Sequence, residues 1–348
     1  MHARAYIVED GRTGEVLLAH HPSQRAPIAS LTKMMTVLLT LERSRLSDVV
    51  MISPDAAEVG ESSIGLRAGE KISVRDLVEA ALIQSANDAA WALADHVGHG
   101  DEARFVALMN RRARQLGLKD THFVRPDGLD APGHVSSARD VTTLARLLMQ
   151  KPVVRKIVAM RDATIEGDRR LHTWNDLLGA YPGVVGVKTG HTAAAGWSQV
   201  GAVRGPGVTV YATILGSPSR RARNDDLAAL MTWGLARFQV VDVVSAGRAY
   251  ASARTSYDKG KVDLVAPRPV GHAVVAGRPL VERIVAPMGV DLPVRKGEKL
   301  GEVRVYERGK LVARSPLVAA RSIDKPGVAG RAGWYLKRTA HNMWGWVT

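Results

Sequence analysis

Residues 28–36, Ile-Ala-Ser-Leu-Thr-Lys-Met-Met-Thr, place a serine and a lysine three positions apart in an otherwise apolar segment. Residues at this spacing share one face of a helix, so the amine of Lys33 can reach the hydroxyl of Ser30. Serine is a weak nucleophile at neutral pH and needs an adjacent base. Lysine can be that base only when it is neutral, which burial and a nearby cation both favour. The alternative is a surface helix with a solvated lysine.

The Ser-x-x-Lys spacing occurs twice more, at Ser256 and Lys259 and at Ser322 and Lys325. Both of these pairs lie among Gly, Pro and charged residues, which are typical of turns. Only the first pair lies in a segment with the apolar spacing of a helix, at about residues 29–42. The chemistry is therefore expected at Ser30.

Two further motifs supply the groups that such a site needs. Lys188-Thr189-Gly190 ends a short β-branched segment, and Lys188 would be the second cation that keeps the first lysine neutral. Gly190 would let a substrate backbone approach the strand. Ser85-Ala86-Asn87 falls at a break between two predicted helices and offers a hydroxyl for proton relay and an amide. Alternatively, Asn87 is a helix N-cap and Lys188 a solvated strand end.

The elements that must position these motifs can be predicted from periodicity and turn residues. Residues 5–8 and 15–19 form a β-hairpin, and Ser73 with Asp76 forms a capping box that begins a helix. Helices fill the middle of the chain, and residues 183–216 form three strands. Strands at both ends of a helical middle indicate a mixed sheet with helices on its faces.

Beyond about residue 244 short alternating strands and tight turns predict a small all-β module. The expected domains are therefore residues 1–243, residues 244–324 and a C-terminal tail, residues 325–348.

The motifs occur in the order Ser-x-x-Lys, Ser-x-Asn and Lys-Thr-Gly, and their first residues are separated by 55 and 103 positions. This set is a signature of penicillin-binding proteins and β-lactamases. The chain resembles the low-molecular-mass penicillin-binding D-alanyl-D-alanine carboxypeptidases over about residues 5–322. The resembling segments include ASLTKMMT, ISVRDLVEAALIQSANDAAWALAD, GLDAPGHVSSARD and GVKTGHTAAAGW. The resemblance implies an α/β (α+β) serine transpeptidase/β-lactamase-like domain followed by a small all-β domain.

By this resemblance the substrate is a peptidoglycan stem peptide that ends in D-Ala-D-Ala, and β-lactam antibiotics are expected to acylate the same serine. Ser30 would attack the carbonyl between the two alanines while Lys33 takes its proton. Ser85 would pass a proton to the departing D-alanine, in one network with Lys188, and Asn87 would hold the acyl chain.

The resemblance also implies residues that bind the substrate. Backbone N–H groups of Ser30 and His191 would form an oxyanion hole. Lys188, Thr189 and Gly190 would line the substrate site. Arg223 matches the family position of an arginine that binds the terminal carboxylate, although Arg220 or Arg221 is an alternative from the sequence.

Charge and composition limit the partners. The net charge is +14, and residues 245–348 hold 19 Lys and Arg against 8 Asp and Glu, or +11. The last residues place Leu336, Ala340, Met343 and Val347 on one helical face, with four aromatic residues and three cationic ones nearby. Such a helix suits an anionic membrane surface, whereas the alternative is packing on its own domain. No motif supports nucleic-acid binding.

Other classes of site are not expected. The chain has no cysteine, and its eleven histidines show no spacing typical of metal ligands, so we expect neither a metal nor a cofactor. The first residues lack the pattern of a signal peptide, and by resemblance the export signal is missing from this chain. The expected location is extracytoplasmic, with peripheral attachment to the cytoplasmic membrane.

Rival functions remain at this level. A β-lactamase of class A would carry Glu-x-x-Leu-Asn, but Glu166 is followed by Gly-Asp-Arg-Arg. An endopeptidase of the family would usually lack the β module. A non-catalytic sensor or cell-wall-binding protein would not be expected to keep every motif residue.

Overall fold

A computed structural model describes residues 1–344, apart from the side chains at position 338 and positions 340–344. It divides the chain into two units, Met1–Arg237 and Phe238–Thr348. This division lies six residues before the boundary expected from the sequence. The reason is that Phe238–Val244 forms a strand that pairs with Val270–Val275 of the second unit.

The strands of the first unit are β1 (Ala5–Asp10), β2 (Val16–His20), β3 (Val49–Met51), β4 (Lys71–Ser73), β5 (Asp162–Ile165), β6 (Arg169–His172), β7 (Val184–Thr192), β8 (Gly196–Gly205) and β9 (Val208–Ser217). Its helices are α1 (Lys33–Arg43), α2 (Pro54–Glu58), α3 (Val74–Glu79), α4 (Asn87–Gly98), α5 (Glu102–Gln115), α6 (Ala138–Leu148), α7 (Pro152–Ile157) and α8 (Arg220–Leu235). Short 3₁₀ turns cover Ala29–Thr32 and Glu166–Asp168, and a π-helical turn covers Ala80–Gln84.

The main sheet of the first unit has the strand order β2-β1-β9-β8-β7. Each neighbouring pair in it is antiparallel, so the mixture of parallel and antiparallel strands expected from the sequence is wrong in this detail. For three of the four pairs, β1 with β2, β7 with β8 and β8 with β9, the physical reason is a short connecting turn, which only antiparallel strands permit.

Helices cover both faces of this sheet, as the sequence predicts. Alternate residues of β9 face opposite sides. On one side Val210 packs so closely against Gly234 of α8 that a Cβ there would lie 2.7 Å from the valine methyl. On the other side the hydroxyl of Thr213 is hydrogen-bonded to that of Thr142 on α6 at 2.6 Å. The buried helix α1 packs against α4, α5 and α6 and carries the first motif.

Predicted helix starts are confirmed by their caps. The Ser73 hydroxyl accepts a hydrogen bond from the Asp76 N–H at 3.1 Å where α3 begins. Ser137 does the same for the Asp140 N–H at 3.3 Å at the start of α6. Both caps satisfy backbone donors that the first helical turn leaves unpaired.

The second unit is rich in strands: β10 (Phe238–Val244), β11 (Ala249–Thr255), β12 (Lys261–Val265), β13 (Val270–Val275), β14 (Leu280–Val285), β15 (Gly289–Val290), β16 (Lys299–Glu307) and β17 (Lys310–Ala319). A six-stranded sheet has the order β14-β16-β17-β12-β11-β15, and β10 pairs with β13. Valine, leucine and alanine side chains of these strands form a separate buried core.

The last element among the described residues of the second unit is helix α9 (Val328–Trp344). Its Trp334 indole N–H donates to Asp258 at 3.0 Å, and its ring contacts that of Tyr257 edge-on. Of the face predicted from the sequence, Leu336 is exposed, whereas the other three side chains lie outside the described residues. Within residues 1–344, no helix combines the length and the apolar composition needed to cross a bilayer.

Candidate active site

Ser30 and Lys33 meet where a 3₁₀ turn passes into α1. The turn covers Ala29–Thr32, and the α-helix begins at Lys33, four residues later than the helix start predicted from the sequence. The spacing of three still brings the two side chains together, with Lys33 Nζ 2.8 Å from Ser30 Oγ. Lys33 is completely buried, so the alternative of a solvated surface lysine is excluded.

Two further oxygen atoms surround the Lys33 amine. The side-chain oxygen of Asn87 lies 2.6 Å from Nζ, and the backbone carbonyl of Asp127 lies 2.8 Å from it. The orientation of the Asn87 amide is set by its other end, because its NH₂ group donates to the Gly60 carbonyl at 3.2 Å. Lys33 therefore contacts one hydroxyl and two groups that can only accept hydrogen bonds.

Burial lowers the pKa of Lys33 from 10.5 to about 7. The Arg125 guanidinium lowers this pKa further, whereas the carboxylates of Asp127, Asp88 and Glu61 raise it. Arg125 is thus a cation near Lys33 that the sequence did not indicate, and Lys188, the cation expected from the sequence, is also coupled electrostatically to Lys33. A pKa near neutrality lets the amine exist in its neutral form under physiological conditions.

The second and third motifs also meet. Lys188 on β7 donates to the Ser85 hydroxyl at 2.7 Å and to the Thr189 carbonyl at 2.8 Å. Its pKa is well below the usual value because of burial and because Lys33 and Arg223 are nearby cations. Ser85 follows the π-helical turn in a left-handed conformation with φ of 65°, and this break turns its hydroxyl toward β7. Lys188 is thus not a solvated strand end.

Gly190 serves the packing of the nucleophile's own turn. A Cβ at this position would lie 2.9 Å from the Ile28 carbonyl oxygen and 3.2 Å from the Ser30 nitrogen. The sequence interpretation assigned this glycine to the approach of a substrate backbone, whereas the structure shows the approach of residues 28–30. The next residue, His191, is exposed and stacks on Trp197 with ring centres 4.0 Å apart.

These groups open onto one cleft in the first unit. Besides the motif residues, the wall of the cleft carries acidic, hydroxyl, indole and guanidinium side chains. The residues that line it are Ser30, Glu61, Ser62, Ser85, Trp174, Thr189, Gly190, His191, Trp197, Arg220 and Arg223. Lys33, Lys188 and Asn87 lie behind this wall as buried groups. All nine candidate residues of the sequence analysis are therefore in or directly behind one site.

The arginines near the cleft differ in their surroundings. Arg223 is 1% exposed and donates to Asp176 at 2.9 Å and to Asn224 at 2.8 Å, and burial lowers its pKa to about 10. Arg220 also pairs with Asp176, at 2.8 Å from its Nε. Arg221 is exposed, pairs with Asp225 and lies off the cleft wall. Of the three arginines that the sequence left open, Arg220 and Arg223 face the cleft.

Sequence reasoning did not find several groups of this site. Asp127 binds the Lys33 amine through its carbonyl, and Arg125 pairs with the Asp127 carboxylate. Asp176 accepts hydrogen bonds from the two cleft arginines. The segment around Asp127, Arg-Pro-Asp-Gly-Leu, carried only a loop signal, and nothing in it indicates a partner on a helix 94 residues earlier. Trp174 and Trp197 had no signal, because an isolated tryptophan is equally typical of a core.

Sequence comparison places this geometry in a family. The profile described as D-alanyl-D-alanine carboxypeptidase matches residues 1–219, and that of the penicillin-binding protein 5 C-terminal domain matches residues 238–325. The chain is 32% identical to D-alanyl-D-alanine carboxypeptidase DacD of Salmonella typhimurium, over 97% of this chain and 90% of that relative. It is 29% identical to D-alanyl-D-alanine carboxypeptidase DacF of Bacillus subtilis, over 97% of this chain and 89% of that relative.

Solved structures agree with this result. Penicillin binding protein 5 from Haemophilus influenzae superposes with a TM-score of 0.68 at 30% identity, over 93% of this chain and 98% of that one. PBP3 from Streptococcus pneumoniae gives a TM-score of 0.73 at 28% identity, over 93% and 99%. The chain belongs to the D-alanyl-D-alanine carboxypeptidase family of serine-type penicillin-binding proteins. The predicted fold class and family are thereby confirmed.

Proposed function

We propose that Ser30 is the nucleophile with which this D-alanyl-D-alanine carboxypeptidase removes the terminal D-alanine from peptidoglycan stem peptides. The observation that carries the proposal is the 2.8 Å contact between Ser30 Oγ and the buried amine of Lys33. A serine hydroxyl needs a base within hydrogen-bond reach, and this amine has both the position and the lowered pKa.

The hydrogen bonds around Lys33 support proton transfer from Ser30 to a neutral Lys33. A neutral amine has two N–H bonds and one lone pair. Asn87 Oδ1 and the Asp127 carbonyl can only accept, so they take the two N–H bonds. The lone pair then faces Ser30, whose hydroxyl donates its proton to Nζ as Oγ attacks the substrate carbonyl.

The remaining motif residues complete acylation. The N–H groups of Ser30 and His191 would receive the oxyanion that forms during attack, and one such donor is worth about 10²–10³ in rate. Collapse of this intermediate breaks the C–N bond. Ser85, held by Lys188, would relay the proton that Lys33 took from Ser30 to the leaving amine of D-alanine, so that both Ser85 and Lys33 return to their starting states. Water then hydrolyses the ester at Ser30 and restores the free hydroxyl.

The terminal carboxylate of the substrate needs a cationic partner, because burying it unpaired is unfavourable. Arg223, with Thr189 and Lys188 on β7, remains our candidate for that role. Arg223 is held by Asp176 and Asn224 and faces the cleft, which supports this assignment. Arg220 shares the same aspartate and is placed to assist.

The rival activities find less support. Glu166 lies in a 3₁₀ turn between β5 and β6 and is not on the cleft wall. A penicillin should acylate Ser30 as a substrate mimic, and Glu166 is not placed to help hydrolyse the resulting ester. The β-rich unit and the matched C-terminal profile favour a carboxypeptidase over an endopeptidase. The intact polar network around Ser30 argues against a non-catalytic cell-wall-binding protein.

The test of this proposal combines turnover with adduct mapping. Release of D-alanine from a diacetyl-Lys-D-Ala-D-Ala tripeptide is measured for the wild type and for Ser30→Ala, and peptides are mapped by mass spectrometry after penicillin treatment. We expect turnover and the adduct in the wild type, and loss of both in Ser30→Ala. A wild type that releases no D-alanine would contradict the enzymatic role.

We further propose that the protein acts outside the cytoplasmic membrane and that α9 rests on the membrane surface. On this helix Trp334 and Leu336 are two residues apart and so point in opposite directions. Trp334 contacts Tyr257 and Asp258, whereas Leu336 is 73% and Tyr335 57% exposed. Lys337 beside them is exposed as well, so the exposed side combines apolar and cationic side chains, and the basic residues of the second unit would favour anionic lipid.

The domain roles follow as part of the same proposal. The first unit would be catalytic, the second unit up to residue 324 would form the accessory β module, and residues 325–348 would attach the protein to lipid. Vesicles of phosphatidylglycerol and phosphatidylcholine should bind the full chain, and a chain ending at residue 329 should not bind while cleaving the soluble tripeptide normally. Unchanged vesicle binding after truncation would refute the attachment. Val49→Ser, which removes a 61% exposed apolar side chain elsewhere, is the control.

A further inference from the structure

We infer that Arg125 and Asp127 are positioning residues that aim the Lys33 lone pair at Ser30. This inference rests on the proposed function and adds residues that none of the motifs contains. The starting observation is that the Lys33 amine contacts a backbone carbonyl on a loop, that of Asp127, at 2.8 Å. A loop carbonyl can direct an amine only if the loop itself is held.

The loop is held against the nucleophile's turn by its backbone. Gly128 adopts φ of 87°, and a Cβ there would lie 2.1 Å from the Ala29 carbonyl oxygen. The carbonyl of Pro126 accepts from the Thr36 hydroxyl at 2.6 Å, one helical turn beyond Lys33. Two successive carbonyls of the loop thus accept hydrogen bonds from successive turns of α1.

The Asp127 side chain provides a second restraint. Its carboxylate receives the Arg125 guanidinium as a two-point fork, at 2.6 Å from Nε and 2.8 Å from the terminal nitrogen. The Trp91 indole N–H donates to it at 2.8 Å and the Leu129 N–H at 3.1 Å. Such bidentate, charge-assisted bonds fix orientation as well as distance. The carbonyl of the same residue is therefore fixed relative to α1.

Alignment of the amine depends on that carbonyl. If Asp127 moved away, one N–H of neutral Lys33 would lose its acceptor and could turn toward Ser30 Oγ instead. The lone pair would then point away from the hydroxyl for part of the time. Misplacement of a catalytic group by about 1 Å can lower a rate on the order of 10²-fold. The fork thus contributes to the rate without touching the substrate.

The fork also balances the charge near Lys33. Arg125 lowers the pKa of this lysine, and Asp127 raises it. Four charged groups shift the pKa of Lys33: Arg125 and Asp127 of the loop, Asp88 of α4 and Glu61 after α2. Lys188 of β7 is a fifth charged group that is coupled to this amine. Removal of either member of the fork should therefore move the pH dependence of acylation, in opposite directions for the two members.

The experiment measures the second-order rate of Ser30 acylation by a fluorescent penicillin across pH. For Arg125→Gln we expect the rise of the rate to move to higher pH by about one unit, and for Asp127→Asn to lower pH. The double variant should rise near the wild-type pH. All three should reach a plateau about tenfold below the wild type, because each loses the fork. Arg125→Lys should keep the wild-type pH dependence but not its plateau.

A matched control is Arg112→Gln. Arg112 of α5 pairs at 2.7 Å with Glu42 of α1, the helix that carries Lys33. We expect no change in its pH profile. If a fork variant does not fold by thermal unfolding, Trp91→Phe removes one bond to the carboxylate and leaves both charges. It should lower the plateau and leave the pH dependence unchanged.

The outcomes separate this inference from the proposed function. The inference would be overturned if Arg125→Gln and Asp127→Asn moved the pH dependence in the same direction. It would also be overturned if the fork variants and Trp91→Phe all reached the wild-type plateau. In either case an inactive Lys33→Ala would leave the proposed function standing. Full acylation of Lys33→Ala would instead overturn the role of Lys33 as base.

Discussion

Lys188 and Ser85, 103 residues apart in the chain, are joined by a 2.7 Å hydrogen bond from the amine to the hydroxyl. The bond links β7 to the point where the π-helical turn ends. Because Lys188 is buried and its pKa is lowered by burial and by Lys33, this pair forms a polar unit continuous with the nucleophile's surroundings.

Because the pair acts as one unit, its two deletions should not add. Ser85→Ala and Lys188→Met should each lower D-alanine release on the order of 10²-fold, and the double variant should be little worse than either. A double-mutant cycle on the tripeptide measures this coupling. Additive losses would mean that the two side chains act separately.

Gly190→Ala should destabilise the first unit and slow acylation. The new Cβ would meet the Ile28 carbonyl at 2.9 Å, and backbone cannot yield as a flexible side chain does. Overpacking of this kind is unfavourable by about 1–3 kcal/mol. Urea unfolding measures the loss. Gly60→Ala, where a Cβ has open space, is the control and should retain wild-type stability.

Lys33→Met should change how stability depends on pH. The folded-state pKa of Lys33 is about 7 against 10.5 for a free lysine, so between these values the unfolded chain binds more protons. Wild-type stability therefore gains from Lys33 as pH rises through this range, and the gain is absent at lower pH. The free energy of unfolding, measured with urea, should therefore exceed that of the wild type by the largest amount in Lys33→Met below about pH 7. A difference that is constant across pH would contradict a lowered pKa.

Arg223→Gln should weaken recognition of the substrate's carboxylate. We expect kcat/KM for the tripeptide to fall on the order of 10- to 100-fold, as for loss of a charge-assisted bond. Arg221→Gln is the matched control, because Arg221 is exposed, pairs with Asp225 and lies off the cleft. Equal effects of the two substitutions would indicate a general effect of surface charge.

Much of this site could be predicted because its signals are local. Ser30 and Lys33 are three residues apart, so any helical turn brings them together, and the 3₁₀ start of the segment does not change that result. The caps at Ser73 and Ser137 likewise depend on neighbours within one turn.

The contacts that sequence reasoning missed join distant segments. Asp127 reaches Lys33 across 94 residues through its backbone carbonyl, a group that every residue possesses. Gly190 was recognised as a position of close approach, but the approaching group, the turn at Ile28, follows only from the pairing of strands and helices. Likewise, no periodicity in the sequence indicates that Arg125 and Asp127 shift the pKa of Lys33 in opposite directions.

The central claim is that neutral Lys33 activates Ser30, and the rate of acylation at that residue against pH tests it most directly. The rate for a fluorescent penicillin, with the adduct located by peptide mapping, is measured for the wild type and Lys33→Ala. We predict an adduct on Ser30 whose formation rises through about pH 7, the pKa of Lys33, and is lost in Lys33→Ala. An adduct on another residue, or a rate that does not change across this range, would contradict the claim.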